Sequence, residues 1–256
     1  MSERWRLDGK RALVTGGTKG IGFAIAEELL HLGATVTITA RTDADVQSCV
    51  RGWRTDGLDA HGVAADVTTD AGRTAILSMV GDALDILVLN VGTNIRKASL
   101  DVSTDDYAQV MHTNLAAALF LAQAAHPALS ATGDAAIVII GSVAGAIPMM
   151  SGLPYALSKA ALDQMTRYLA VEWARDAIRV NGVNPWYTRT PLAAPRLQLG
   201  ALLDAILAAT PNRRIAEASD ISGAVAFLCL PVARHITGQT LAVDGGFSVA
   251  RAGFIP

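Results

Sequence analysis

The sequence predicts an α/β protein, a doubly wound, seven-stranded parallel sheet with helices on both faces. Two observations carry that expectation. Short apolar, β-branched runs alternate with segments of helical periodicity along the chain, the pattern of a sheet whose strands are joined by helical crossovers. Hydrophobic residues make up 51% of the chain and charged ones 17%, a balance that suits strands buried on both faces. The 256 residues contain no Pro/Gly/Ser-rich linker, no internal repeat and no low-complexity tract. Residues 1–256 therefore read as one domain.

Taken in order, the strands fall at Arg11–Thr15, Ala34–Thr39, Ala60–Val67, Asp85–Asn90, Ala135–Gly141, Ile178–Asn184 and Gln239–Val243. Each is a short apolar run of strand length. Helical patterns occupy the intervals at Ile21–Leu32, Asp43–Asp56, Asp70–Val80, Thr104–Leu129, Tyr155–Arg175 and Ser219–Leu230. The region from Pro185 to Pro211 is the least regular and carries an extra helical segment, Leu197–Ala209. An insertion of that length in a compact domain reads as a lid, at about residues 186–211.

Charge and composition exclude several functions. With 21 basic and 23 acidic residues the net charge is −2, and no basic stretch stands out; nucleic acid is not an expected partner. The N-terminal MSERWRLDGK has no apolar core, so it is no secretory signal. The longest near-apolar stretch, Leu115 to Ala125, is too short to span a bilayer and contains Gln123. Neither a membrane nor a metal is expected: the two cysteines, Cys49 and Cys229, lack metal spacing, and the five histidines form no HxH or HExxH set. Unpaired thiols fit a reducing, cytoplasmic setting.

The first strand runs into Thr15-Gly-Gly-Thr-Lys-Gly-Ile-Gly22. Glycines at 16, 20 and 22 let the backbone turn tightly and approach a ligand. The helix start beyond them offers unpaired N–H groups and a positive dipole end, which suits a phosphate. Gly16, Thr18, Lys19, Gly20, Ile21 and Gly22 are thus candidate dinucleotide contacts. An acidic residue after the second strand would accept hydrogen bonds from an adenosine 2′-hydroxyl; this chain has Arg41 instead. Lys19 and Arg41 together favour a 2′-phosphate, hence NADP(H). Asp43 and Asp45 come one step later than the NAD-type position. Asp66, with Val67 after it, could touch the adenine or cap the next helix.

Tyr155-Ala-Leu-Ser-Lys159 forms a second constellation, because residues four apart share a helix face. For a tyrosine to exchange protons near neutrality its pKa must fall from about 10 to about 7, about 4 kcal/mol. A lysine ammonium one turn along can supply part of that, and a cationic nicotinamide ring more. Ser142 follows the fifth strand thirteen residues earlier. It sits at the carboxyl edge of a parallel sheet, where ligands bind, and could hold a carbonyl oxygen beside the tyrosine. Asn114 lies in an alanine-rich helical pattern; it is either a satisfied core asparagine or the anchor of a water that leads protons to Lys159.

These motifs, with Asn90-Val91-Gly92, Ile178-Arg-Val-Asn181, Pro185 and Val243-Asp-Gly-Gly246, resemble the short-chain dehydrogenase/reductase family over essentially the whole chain. Trp5-Arg-Leu-Asp-Gly9, Gly92-Thr-Asn-Ile-Arg-Lys97, Leu169-Ala-Val-Glu-Trp173 and Asn184-Pro-Trp-Tyr187 are most similar to tropinone reductases and their relatives. The resemblance implies a Rossmann-type fold and a catalytic set of Asn114, Ser142, Tyr155 and Lys159. Tyr155 would be the acid/base, Lys159 would lower its pKa and hold the nicotinamide ribose, Ser142 would orient the substrate oxygen, and Asn114 would anchor the relay water. It also implies cofactor contacts from Asn90, Gly92, Pro185, Thr188 and Thr190, and a homotetramer or homodimer packed on the fourth and fifth helices and the C-terminal segment. Three positions depart from the family pattern: Leu89 and Val91 stand in the usual Asn-Asn-Ala-Gly stretch, and Trp186 replaces the glycine after Pro185.

The implied reaction is hydride transfer between the nicotinamide and a ketone or secondary alcohol. Its substrate pocket is expected to draw on Ile95, Arg96, Ile147, Met149, Met150, Leu153, Trp186, Tyr187 and residues near Leu192. This mostly apolar set fits a bulky or cyclic carbonyl compound, while Arg96 could meet an anionic group or face water. Reduction of a 3-oxoacyl thioester, an NAD-dependent alcohol dehydrogenase and a non-enzymatic dinucleotide-binding protein are the alternatives on the same fold.

Overall fold

Each of the seven strand segments expected from the sequence contributes a strand to one sheet, whose inner strands bury alternate side chains against a helical layer on each face. A computed structural model describes residues 3–250. In chain order the elements are β1 (Arg11–Thr15), α1 (Gly20–His31), β2 (Thr35–Ala40), α2 (Asp43–Thr55), β3 (Ala60–Ala64), α3 (Asp70–Val80), β4 (Ile86–Leu89), α4 (Thr104–Met111), α5 (Ala117–Ser130), β5 (Ala135–Ile140), α6 (Leu153–Glu172), β6 (Ile178–Pro185), α7 (Ala194–Leu197), α8 (Gly200–Ala209), α9 (Ala218–Cys229) and β7 (Thr240–Val243). All pairings are parallel and the order is β3-β2-β1-β4-β5-β6-β7.

The strands are apolar on both sides. Val14, Val36, Ile38, Ile86, Val88, Val138 and Ile140 pack on one face with Ile25 and Leu29 of α1 and Ile221 and Val225 of α9. Leu13, Leu87, Leu89, Ile137, Ile139 and Val180 pack on the other with Leu121 and Leu129 of α5 and Leu162 and Leu169 of α6. Leu89, one of the departures from the family pattern, is simply part of this second layer. The order reverses at β1, which pairs with β2 on one side and β4 on the other. Connections leave those two carboxyl ends in opposite directions, and a cleft opens between them.

Several boundaries differ from the sequence expectation. β3 stops at Ala64, because the Asp66 carboxylate accepts from the Thr68 N–H at 2.9 Å and its hydroxyl at 2.7 Å and turns the chain. The expected helix Thr104–Leu129 is interrupted by a π turn at His112–Ala116, which carries Asn114; such turns gather at functional sites. The helix expected from Tyr155 begins at Leu153, with Pro154 in its first turn where no N–H is missed. The extra helix after β6 is two pieces, α7 and α8, broken at Gln198 and Leu199.

Two glycines of contrasting surroundings test this packing. A Cβ on Gly22 would lie 2.2 Å from the Gly16 carbonyl oxygen, whereas one on Gly52 in α2 would meet nothing within 4 Å. Gly22→Ala is expected to lower the urea midpoint by about 1–3 kcal/mol equivalent. Gly52→Ala should raise it by about 0.5–1 kcal/mol, since alanine orders a helix at less entropic cost. Equal effects of the two would contradict the turn geometry.

Candidate active site

At the reversal point β1 runs into a turn with Gly16 at φ +66° and Gly20 at φ +55°, conformations that glycine adopts without strain. α1 starts there with Lys19 in the cap position and no side chain capping it. Its first N–H groups therefore face an open cavity of about 820 Å³ at the carboxyl edge of the sheet. Asn90 ties the two strand ends together, its amide donating to the Thr15 carbonyl at 3.0 Å and more weakly to that of Gly16 at 3.3 Å. A Cβ on Gly16 would press Asn90 and Val91. Of the expected cofactor contacts, Gly16, Thr18, Lys19, Gly20, Ile21, Arg41, Asp66, Val67, Asn90, Gly92, Tyr155, Lys159, Pro185, Thr188 and Thr190 all line this cavity. Gly22 does not; it lies behind the turn, against Gly16.

Beyond the turn, the charges differ from expectation. Lys19 is engaged in an ion pair with Asp45 at 2.8 Å, formed because the first turn of α2 lies beside the glycine turn. Asp45 also lines the cavity. Asp66 does not cap α3: Thr69 holds that place, accepting from the Gly72 N–H at 3.0 Å. The bonds from Thr68 keep the Asp66 carboxyl below the usual carboxylate range.

The opposite end of the cavity holds Ser142, Tyr155 and Lys159. Burial pushes the Tyr155 phenol up, while the Ser142 hydroxyl and the Arg96 charge pull the other way. The Lys159 ammonium, expected to supply part of a fall in the phenol's pKa, is not among the groups that act on it here. The lysine Nζ lies 5.5 Å from the centre of the tyrosine ring, not against its oxygen, and donates to the Ile140 carbonyl at 2.8 Å. Lys159 is itself buried, and desolvation lowers it to about 8, with Asp163 one turn further along opposing that. Asn114 is fully buried and does not line the cavity. Its amide donates to the Thr93 carbonyl and the Ser158 hydroxyl, both at 3.0 Å, and its oxygen accepts from the Thr93 N–H at 2.7 Å. Its side chain is that of a satisfied core asparagine.

Of the expected substrate contacts, Arg96, Met149, Trp186 and Tyr187 line the cavity, as does Leu192. Ile95, Ile147 and Leu153 are not among its lining residues, and Met150 is 89% exposed. The apolar wall foreseen from these residues is therefore thinner than expected, because Leu153 and Met150 face outward. Trp186 stacks on Phe247 at 3.7 Å, and its indole N–H donates to Thr210 at the end of α8 at 3.0 Å. Sequence reasoning missed Thr93, Asn94 and Ser151, which also line the cavity; isolated polar residues in loops carry no periodic signal. It also missed Asp163, although the four-residue spacing from Lys159 was readable.

The buried ammonium predicts a pH dependence. Lys159 is held near 8 in the folded protein against about 10.4 in the unfolded chain. Below pH 8 both states are protonated and folding bears the whole desolvation cost. Between pH 8 and 10.4 the unfolded chain binds more protons, so this cost fades as pH rises. The stability gained by Lys159→Met over wild type is expected to shrink by up to about 3 kcal/mol between pH 7 and pH 10 in urea unfolding. Parallel curves would contradict it.

Proteins similar to this chain in sequence and in fold are numerous. A family model described as enoyl-(acyl carrier protein) reductase matches residues 16–248. A tropinone reductase homolog of Arabidopsis thaliana is 45% identical over 96% of this chain and 95% of its own. A tropinone reductase homolog of Datura stramonium is 42% identical over 96% and 94%. Among solved structures, a gluconate 5-dehydrogenase from Burkholderia cenocepacia, in complex with NADP and tartrate, superposes with a TM-score of 0.93 at 34% identity, over 97% of this chain and 99% of that one. With the fold, the glycine turn and the tyrosine–lysine pair in place, the chain belongs to the short-chain dehydrogenase/reductase family of oxidoreductases.

Proposed function

We propose that the protein is an NADP(H)-dependent oxidoreductase that interconverts a ketone and a secondary alcohol, with Tyr155 as proton donor in the reducing direction. The observation that carries this is one cavity with two chemistries: an uncapped helix start and Arg41 at one end, and Ser142, Tyr155 and Lys159 at the other. The free N–H groups of α1 suit a pyrophosphate, and the glycine turn leaves room for it, so the residues present fit a dinucleotide. When bound, the nicotinamide supplies or accepts the hydride. Burial keeps the Tyr155 proton in place at neutral pH, and Ser142 and Arg96 stabilise the phenolate left after it is given up. Ser142 orients the carbonyl oxygen. Lys159 contributes its ammonium to the same end of the cavity and would hold the nicotinamide ribose, while Asn114 fixes the loop at Thr93.

NADP(H) is favoured over NAD(H) by Arg41, and the superposed gluconate 5-dehydrogenase holds NADP. Asp45 competes with a 2′-phosphate for Lys19, so selectivity is a balance of these three side chains. The tropinone reductase homologs and the cavity volume support a bulky carbonyl substrate. Residues 186–211 form its lid, for Pro191, Leu192 and Ala193 line the cavity. The chain acts in the cytoplasm as a homotetramer or homodimer. Exposed Tyr107, Phe120, Tyr168 and Val171 on α4, α5 and α6 support that association; residues 251–256 of the C-terminal segment lie outside the described residues. Among the described residues no helix is long and apolar enough to cross a membrane.

Three variants test the reading. Tyr155→Phe is expected to lose about 100- to 10,000-fold in kcat for ketone reduction while still binding NADPH; intact turnover would remove the proposed acid. Arg41→Asp should reverse the NADPH:NADH preference in kcat/KM. Asp45→Asn should tighten NADPH by about 3- to 10-fold at low salt, an effect that fades as ionic strength rises.

A further inference from the structure

Tyr155, Lys159, Asp163 and Arg167 follow one another at four-residue spacing along α6 and share one helix face. The two reactive groups stand at one end of this row. At the other end Arg167 is exposed and donates to the neighbouring Gln164 side chain at 3.1 and 2.9 Å. Asp163 lies between two cations, and no step of the proposed reaction uses it.

Its direction is fixed from outside the helix. The amide of Asn184, near the end of β6, donates to both carboxylate oxygens, at 3.1 and 3.2 Å. Asn184 is buried, and its own oxygen presses on Gly141, where a Cβ would lie 1.9 Å away. That same Cβ would lie 3.5 Å from Asp163 Oδ1. The Lys159 ammonium donates to the carbonyl of Ile140, one residue earlier. The carboxylate and the ammonium therefore meet the tip of β5 at consecutive residues.

The surroundings of Lys159 offer no substitute for this charge. Gly92 and the turn Val143–Gly145 contribute none, and Asn114 is neutral. His112 of the π turn is exposed and bonded to the Thr68 carbonyl. On α4, Asp106 is held by Lys97 and Asp105 is exposed. Tyr155 and Arg96 lie on the cavity side, and neither is negative while the phenol keeps its proton. Burial raises the Asp163 carboxyl, and the Asn184 bond opposes that, as do the charges of Arg167 and Lys159.

We propose that Asp163 is a positioning residue of the reaction: it is the counter-charge that keeps Lys159 an ammonium beside Tyr155, and Asn184 holds it at the strand tips where its charge reaches the lysine. This rests on the reading of Tyr155 and Lys159 as the proton-transferring pair. A buried cation without such a partner sheds its proton instead.

The test reads the ammonium itself. Lys10, Lys19, Lys97 and Lys159 are the chain's lysines, so the carbon resonances of isotope-labelled lysine can be followed one by one, and Lys159→Met assigns the buried signal. In the full-length chain, free and loaded with NADPH, Lys159 is expected to titrate about one pH unit or more lower in Asp163→Asn than in wild type. Asp163→Glu, which restores the charge, should recover part of that shift. Asn184→Ala should produce part of it, and decides the matter if Asp163→Asn does not fold. Arg167→Gln should leave the midpoint as in wild type. The alkaline fall of kcat for a panel of cyclic ketones should move with the lysine, whereas well below both midpoints Asp163→Asn should turn over as fast as wild type. An unchanged lysine midpoint, or a loss of turnover equal at every pH, would overturn the proposal. If wild type reduces no ketone, the reading of Tyr155 fails, while the titration still decides the role of Asp163.

Discussion

The structure depends on a small polar lock where β1 and β4 end side by side. The Thr15 hydroxyl donates to the Val88 carbonyl at 3.1 Å and accepts from the Asn90 N–H at 2.9 Å, while the Asn90 amide donates to the backbone oxygens of Thr15 and Gly16. Two parallel strands whose connections diverge leave unpaired backbone groups at their tips, and these side chains satisfy them. The lock leaves no room for a side chain at Gly22 and crowds one at Gly16. It holds the glycine turn open toward the cavity and presents the start of α1 without a cap. Remove it and the cleft would lose the edge against which a dinucleotide can lie.

The charge on the far side of the cleft is held by burial. Lys159 reaches past Gly92 to the Ile140 carbonyl, with almost no contact with water. An ammonium there costs desolvation energy, and the nearest counter-charge is Asp163, itself raised by burial and bonded by the Asn184 amide at 3.1 Å. The tyrosine proton is retained for the same reason. Low dielectric surroundings make each remaining charge count for more, so the site is poised by a few groups: Ser142 and Arg96 on the phenol, Asp163 behind the lysine.

Trp186 shows how a local departure is absorbed. A glycine at that position would leave the strand end free to flex. Here the indole stacks on Phe247, meets the Tyr187 ring edge-on at 4.7 Å and bonds to Thr210. The bond to Thr210 fastens the start of the excursion after β6 to its end at α8, and the stack on Phe247 ties it to the segment after β7, while Leu192, in the stretch between, lines the cavity.

The order of strands and helices, the glycine turn and the tyrosine–lysine helix were all legible in the chain, because each rests on local periodicity or spacing: apolar alternation, a tight turn, four residues per helical face. Element ends were less legible. Asp66 stops β3 through a side-chain bond to Thr68, and the π turn at Asn114 follows from contacts to Thr93 and Ser158, which lie 21 and 44 residues away. Nor could spacing reveal that Lys19 is engaged by Asp45, that Lys159 leans on Ile140 instead of the phenol oxygen, or that Leu153 and Met150 turn outward while Asn94 and Ser151 line the cavity. The sequence alone determined which elements form and where the two reactive ends of the cleft fall; tertiary structure decided the charge partners, protonation states and polarity of the pocket. Those quantities depend on desolvation and on contacts between segments far apart in the chain, which packing creates.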